Sequence, residues 1–273
     1  MRVLGLVALV MLGLPACGVV YQERPTTFAD NRIQRGKEAL SRGDRAAALA
    51  QYEAAASQGD PFGEYKAAQL LSGGPREQRD EDRAVELLRS AVAERSDVRP
   101  EAQALLARLI ADEAPDEALA LFREADAAGA DVPPGEMARL LIDQGLEAEA
   151  ERWLAAGRAE DDLLALQLSL ERALAAGADG DAEDYARQLA RVYRHLLEVE
   201  GKTWAAWELA RLYDEGEGLP RDLDEAIRWY EVAAAAGEVR AIRRLTRGFL
   251  QGYDGFAVDA AAGRRWGERG VEV

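Results

Sequence analysis

Reactive side chains are scarce in this chain of 273 residues. It contains one cysteine, Cys17, and one histidine, His195. A single cysteine excludes a disulfide bond within the chain. Because His195 lies in a helical stretch between Arg194 and Leu196, we interpret it as a surface or partly buried side chain and not as a catalytic or metal-binding one. The residue types therefore predict a protein that is not an enzyme and that binds no metal or cofactor.

One acidic cluster has the composition of a calcium loop but not its spacing. It comprises Asp179, Asp181, Glu183 and Asp184. A calcium-binding loop that began at Asp179 would need glycine at its sixth position and glutamate at its twelfth, where this chain has Asp184 and Ala190. We therefore expect Asp181 and Asp184 to cap the helix that follows.

The charge balance argues against polyanionic ligands. The chain has 50 acidic and 34 basic residues, a formal net charge of −16. Such a surface repels nucleic acids and uronate polysaccharides. Arginines are interleaved with acidic residues, as in Glu238-Val239-Arg240, so we expect no basic patch that overrides this field. A GC-rich genome or a salty habitat would produce the same acidic composition.

The apolar residues predict an all-α fold. They make up 48% of the chain and are mostly alanine and leucine, and runs of the strand-forming residues valine, isoleucine and threonine are absent. Small apolar residues at helical spacing, with few prolines and many charges between them, favour thin helices that pack closely.

A repeated pattern is clearest between Ala205 and Gly237. Its positions are Ala205, Leu209, Ala210, Tyr213, Gly216, Gly218, Leu219, Asp222, Ala226, Trp229, Tyr230, Ala233, Ala234 and Gly237. They resemble the Sel1-like repeat, a relative of the tetratricopeptide repeat, which implies a pair of packed helices. An earlier unit shares the spacing at Leu71, Gly74, Asp80, Ala84 and Leu88. A final unit keeps the same spacing but has no aspartate at the position that corresponds to Asp222. Its matching residues are Ala241, Leu245, Phe249, Gly252, Ala262 and Trp266.

Alanines expected at the crossing point of each second helix recur about every 35 residues. They are Ala48, Ala84, Ala118, Ala150, Ala226 and Ala262. Two helix backbones approach closely at such a point, so a larger side chain would push them apart. The gap between Ala150 and Ala226 leaves room for one irregular unit. The sequence therefore predicts seven helix pairs, and the resemblance implies a right-handed α-solenoid.

Short signals mark where individual helices begin and end. Asp222 with Glu225 predicts a capping box, and Gly216 and Gly218 predict a left-handed end to the preceding helix. Units three to five, roughly residues 97–201, lack this glycine-rich hinge, and there Pro115 and Pro133-Pro134 stand where helices should begin. Because no flexible linker interrupts the pattern, we expect one continuous solenoid over residues 30–273.

The start of the chain predicts export and lipidation. Arg2 precedes an apolar stretch of about a dozen residues, the length of a signal peptide. The run Leu14-Pro15-Ala16-Cys17 resembles the lipobox of bacterial lipoproteins, which implies removal of residues 1–16 and acylation of Cys17. Residues 17–29 then form a tether, and Gly18 favours the outer membrane, facing the periplasm. The alternative is an ordinary secretory signal.

Five residues of one helix are candidates for binding a partner protein. In the tetratricopeptide family, groove positions flank the residue occupied here by Ala206, and the resemblance places Trp204, Trp207, Arg211, Asp214 and Glu215 in that groove. The two tryptophans have two alternatives, anchoring of another protein or packing that caps the end of the array.

These features together predict a lipid-anchored periplasmic scaffold. The chain resembles the outer-membrane scaffold lipoproteins of alginate and related exopolysaccharide export, with its closest likeness at Arg32–Ala56. That resemblance implies envelope proteins as partners, an export porin among them. The alternative is a scaffold for another envelope machine, such as pilus or outer-membrane protein assembly, and a remote one is an enzyme of envelope maintenance.

Overall fold

The computed structural model describes residues 28–74, 76 and 79–270. The predicted signal peptide, Cys17 and nearly all of the predicted tether lie outside the described residues. Within them the chain forms fourteen α-helices and no strand, which confirms the all-α prediction. None of these helices is both long and apolar enough to cross a membrane.

The helices follow one another in seven pairs. In chain order they are α1 (Phe28–Ser41), α2 (Arg45–Ala56), α3 (Pro61–Ser72), α4 (Glu81–Ala93), α5 (Arg99–Ile110), α6 (Pro115–Ala127), α7 (Pro134–Asp143), α8 (Glu147–Ala159), α9 (Leu163–Ala176), α10 (Asp179–Glu198), α11 (Trp204–Glu215), α12 (Leu223–Ala235), α13 (Val239–Gln251) and α14 (Ala260–Arg269). Each odd-numbered helix packs on the even-numbered helix that follows it. The prediction of seven pairs is therefore confirmed.

Alanine lets the helices of a pair approach closely. Ala48, Ala84, Ala118, Ala150 and Ala226 are completely buried, and Ala262 is nearly so. In the irregular fifth pair, the fully buried Ala186 of α10 supplies the small residue. A larger side chain at such a point would overpack the pair, at a cost of about 1–3 kcal/mol.

The two helices of each pair lie on different faces of the solenoid. First helices of neighbouring pairs contact each other directly, as α1 contacts α3 and α7 contacts α9. Second helices are bridged by long charged side chains, as Arg89 of α4 bonds Glu117 of α6 at 2.6 Å. The first helices therefore lie on the inner, concave side.

The glycine-rich hinge is the turn between the two helices of a pair, residues 216–222 in the sixth pair. It is built in the same way in three pairs. The backbone N–H of Asp222 donates to the carbonyl oxygen of Tyr213 at 2.9 Å, and Asp80 does the same to Leu71 at 3.0 Å. The last pair repeats the bond between Asp259 and Phe249 at 2.9 Å. Each aspartate also caps the second helix of its pair. In the last pair the capping aspartate stands one position later than in the others, which is why the sequence pattern lacked it in register.

Two predictions about helix starts need correction. The Asp222 side chain does accept from the Glu225 N–H, but no reciprocal capping-box bond forms, because the Asp222 N–H is bonded to Tyr213 and the Glu225 side chain accepts from Trp229 Nε1. Asp181 and Asp184 do not cap a helix. The helix α10 already begins at Asp179, so both lie inside its first turns.

Pro115 and Pro134 are the first residues of α6 and α7, as predicted from the fixed φ of proline. Gly216 ends α11 in the left-handed conformation, with φ of 71°. This confirms the predicted hinge turn.

Gly218 brings the hinge against α10. Its φ is +74°, and a Cβ at this position would lie 2.5 Å from the carbonyl oxygen of Ala182 and 2.8 Å from the Cβ of Ala186. The contacts are with backbone and with a short side chain, so neither can move aside. Glycine therefore sets how closely the sixth pair approaches α10.

We predict that Gly218→Ala lowers the free energy of unfolding by about 2–4 kcal/mol, because it adds overpacking to the strain of a left-handed alanine. The matched control is Gly201→Ala. Gly201 also has a positive φ of +68°, but open space surrounds its Cβ position. The control should cost only about 1–2 kcal/mol. Urea denaturation followed by circular dichroism measures both, and equal losses would contradict the close approach.

Candidate functional site

The five predicted groove residues all lie on α11, a first helix on the inner face. Trp204, Arg211 and Glu215 follow one another at spacings of seven and four residues, so they share one stripe of the helix. Trp207 and Asp214 lie on the flank of that stripe nearer to α12 and α13, where both contact Tyr230. The helix brings the five residues to one surface but gives them different surroundings.

The two tryptophans differ in exposure. Trp204 stands at the first position of α11 and is 42% exposed, with its ring edge-on to Tyr193 at a centroid distance of 6.3 Å. Trp207 is half-buried, packs on Tyr230 at 5.3 Å and is covered by the Arg240 guanidinium at 4.7 Å. Trp204 therefore offers free aromatic surface, whereas the contacts of Trp207 are mostly internal.

Arg211 and Glu215 form a charged pair at the surface. Arg211 Nε and Nη2 donate to the two carboxylate oxygens of Glu215 at 3.0 and 2.8 Å, and Nη1 reaches Glu208 at 3.3 Å. The hydrogen bonds to Glu215 raise the pKa of Arg211, which keeps its charge. Both groups are oriented and remain accessible to a peptide.

Asp214 is the most buried of the five predicted groove residues, and its carboxylate is bonded to other side chains of the protein, so its contact with a partner stays a prediction. It is 6% exposed, and its carboxylate accepts from the Tyr230 hydroxyl at 3.0 Å, from Arg244 Nε at 2.9 Å and from Arg221 Nη2 at 3.1 Å. Arg244 and Arg221 both continue to Asp254. The residue joins α11, the hinge, α12, α13 and the turn after α13.

This network fixes the protonation of Tyr230. Burial raises the pKa of the Tyr230 hydroxyl, and the negative charge of Asp214 raises it further. The hydroxyl therefore stays protonated and donates to Asp214. Burial disfavours the charge on Arg244, but its bonds to Asp214 and Asp254 outweigh that and raise its pKa.

An open cavity of about 600 Å³ lies beside this network. We name it the α11 groove; its walls are formed by Trp207, Arg211, Asp214, Glu215, Arg221, Tyr230, Arg244, Tyr253 and Asp254. A second cavity of about 410 Å³, toward α9, also has Arg211 in its wall. Aromatic rings and paired charges of both signs suit the side chains and main chain of a peptide.

The groove residues from α13 and the turn after it were not among those predicted from the sequence. Tyr253 and Asp254 lie in the 3₁₀ turn Tyr253–Gly255, where Asp254 has a φ of +58°. The available signal was Gly252, which stands in register with Gly216 one repeat earlier and has the same left-handed conformation. The groove positions of the tetratricopeptide family are defined within a single helix. They therefore gave no indication that residues of the next helix pair also line the groove.

We predict that Asp214→Asn lowers the free energy of unfolding by about 3 kcal/mol, because it leaves the largely buried Arg244 without one of its two carboxylate partners. The control is Glu215→Gln. It breaks an ion pair with a half-exposed carboxylate and should cost less than about 1 kcal/mol. Urea denaturation of both variants checks the difference, and similar losses would show that Asp214 has no central role.

Comparison with known proteins agrees with this architecture. The model of the Sel1 repeat matches residues 61–95 and 205–238, the two segments in which the sequence pattern was most complete. No curated protein matches the chain.

Two solved structures share the fold. A Sel1 repeat protein from Oxalobacter formigenes is similar over 88% of this chain and 99% of its own, with 20% identity and a TM-score of 0.58. PilW, described as a widely conserved type IV pilus biogenesis factor, is similar over 85% of this chain and 98% of its own, with 18% identity and a TM-score of 0.50. At these identities the likeness concerns the fold alone. The chain thus contains two segments that match the Sel1 repeat, within an α-solenoid of the kind that Sel1 repeat proteins form.

Proposed function

We propose that this protein is a scaffold that holds other proteins through the inner face around α11. The observation that carries the proposal is the exposure of Trp204 on the same helix stripe as the Arg211–Glu215 pair. Aromatic side chains give a large contact area at low entropic cost, and tryptophan and arginine are enriched among residues that dominate binding energy.

The surrounding residues support a peptide segment as the bound element. Trp204 supplies an apolar anchor, and Arg211 and Glu215 supply a donor and an acceptor on the same stripe. The α11 groove adds Tyr253 on its far wall. A partner segment that enters the groove would thus meet apolar, basic and acidic groups in succession.

We further propose that the scaffold is anchored in the outer membrane by acyl chains on Cys17 and faces the periplasm. The lipobox resemblance and the apolar leader support this. We favour exopolysaccharide export as the system in which it acts, because the opening unit resembles that of the scaffold lipoproteins of such export. In that unit Asp44 caps α2, and Tyr52 is buried beneath Gly36. Assembly of pili or of outer-membrane proteins is the alternative machine.

Photo-cross-linking tests the docking face. We predict that benzoylphenylalanine in place of Trp204 gives a discrete adduct with another envelope protein when the full chain is irradiated in its native cells. The same group in place of the exposed Arg228, on the second helix α12, is the control and should give none. Equal adducts from both positions, or none from Trp204, would contradict the proposal.

A substitution measures the contribution of the anchor. Trp204→Ala should reduce co-purification of that partner about tenfold without loss of helicity, because the side chain is 42% exposed and stands at the first position of α11. Leu40→Ala, which removes a side chain of similar 40% exposure from α1, should leave co-purification unchanged. If the partner recovered from detergent-solubilised membranes is an export porin, exopolysaccharide export is supported; a pilus or assembly protein would support the alternative machine.

The anchor has its own test. We predict that Cys17→Ser moves the protein from the membrane fraction to the soluble periplasmic fraction, because several acyl chains give stable attachment and none gives little. Mass spectrometry of the wild-type N-terminus should find Cys17 acylated. A free thiol on a soluble protein would overturn the lipidation proposal. It would not affect the separate proposal that partners dock on the inner face around α11.

A further inference from the structure

A second groove lies on α10 and the hinge between α11 and α12, away from the Trp204 stripe. Its volume is about 720 Å³. Four arginines line it, Arg187, Arg191, Arg194 and Arg221, and its apolar wall includes Ala190, Leu219 and Pro220. We name it the arginine groove. Its acidic wall residues are Asp184 and Asp222. Carboxylates pair with three of the four arginines, which leaves Arg191 as the unpaired positive charge of the groove within the described part of the chain.

On this face of α10 the arginines are not interleaved with acidic residues, as they are in segments such as Glu238-Val239-Arg240. Arg187, Arg191 and Arg194 are spaced by four and three residues and therefore share one face of α10. No acidic residue occurs between positions 185 and 197. The signal was present in the sequence, but a count of charges over the whole chain concealed it.

On two other second helices, an arginine bonds the second helix of the next pair. Arg89 of α4 bonds Glu117 of α6, and Arg123 of α6 bonds Glu149 of α8 at 2.7 Å. On α10 this pairing is incomplete. Arg191 is exposed and forms no hydrogen bond or ion pair with any residue that the structure describes.

The position of the hinge explains why Arg191 has no ion-pair partner among the described residues. Gly218 packs against Ala182 and Ala186, so the hinge and not α12 covers this part of α10. The side chain of Arg194, one turn after Arg191, does reach α12, and its Nη2 lies 3.9 Å from Glu225 Oε1. Arg187 bonds Glu183 of its own helix. The arrangement leaves one free guanidinium between two oriented ones.

We propose that the arginine groove binds an acidic peptide segment of a partner protein. A carboxylate fits the planar fork of the unpaired Arg191, with the guanidinium groups of Arg187 and Arg194 on either side of it. Leu219 and Pro220 form a surface for one apolar side chain between the acidic ones. The strongly negative net charge of the protein disfavours a long polyanion, so a short segment with few charges is the occupant that the electrostatics favour.

Fluorescence anisotropy tests this with a defined probe. The probe is a fluorescein-labelled heptapeptide of sequence Glu-Leu-Glu-Ala-Glu-Leu-Glu, and the control peptide has glutamine in place of every glutamate. With the full-length chain in non-ionic detergent at low salt, we expect saturable binding of the probe with a Kd below about 100 µM and at least about tenfold weaker binding of the control peptide.

Charge-reversal variants locate the binding. Arg191→Glu should weaken binding of the probe at least about tenfold, whereas Arg243→Glu, the same charge change at an exposed position on α13, should leave it nearly unchanged. Leu219→Ser should weaken binding without any change in charge. Because Arg191 is exposed, circular dichroism should show both arginine variants folded.

The proposal is overturned if the probe does not bind saturably, or if both reversals weaken binding equally, which would indicate a general charge effect. It is also overturned if phosphatidylglycerol vesicles, and not the probe, bind in a manner that depends on Arg191, because the occupant would then be a lipid surface. None of these results depends on Trp204, so the docking face on α11 is tested separately.

Discussion

The close approach of paired helix backbones is the constraint on which this structure depends. It requires alanine at the crossing points, and Ala84 and Ala226 are completely buried there. Because each pair packs mainly on its neighbours, the molecule is an array extended in one direction. Such an array buries its small residues between helices and leaves the outward positions of every helix free. Binding surfaces can therefore differ from pair to pair on an unchanged framework.

The hinge of the sixth pair shows how one irregular feature creates two such surfaces. On one side, Arg221 and Arg244 both bond Asp214 and thereby join the hinge and α13 to α11 in the wall of the α11 groove. On the other side, Gly218 seats the hinge on α10 and keeps α12 away from Arg191. The same short segment thus positions an inner groove of mixed charge and the arginine groove on α10.

Local features of the fold could be predicted from the sequence because they depend on neighbours within a few residues. The capping aspartate Asp222, the left-handed Gly216 and the helix start at Pro115 are of this kind. The burial of Asp214 and the free guanidinium of Arg191 could not be predicted, since each depends on side chains from other units. Spacing alone identifies the face on which a residue lies but gives no indication of the partners that the next unit brings.

The central claim is that partners dock on the inner face of the array. Hydrogen exchange measured by mass spectrometry, on the chain alone and in the complex purified from detergent-solubilised membranes, tests it most directly. Binding should slow exchange in α9, α11, α13 and the turn at Tyr253–Gly255, and it should leave α4, α6 and α8 unchanged. Slower exchange confined to second helices distant from α10, or no difference between the two samples, would contradict the account.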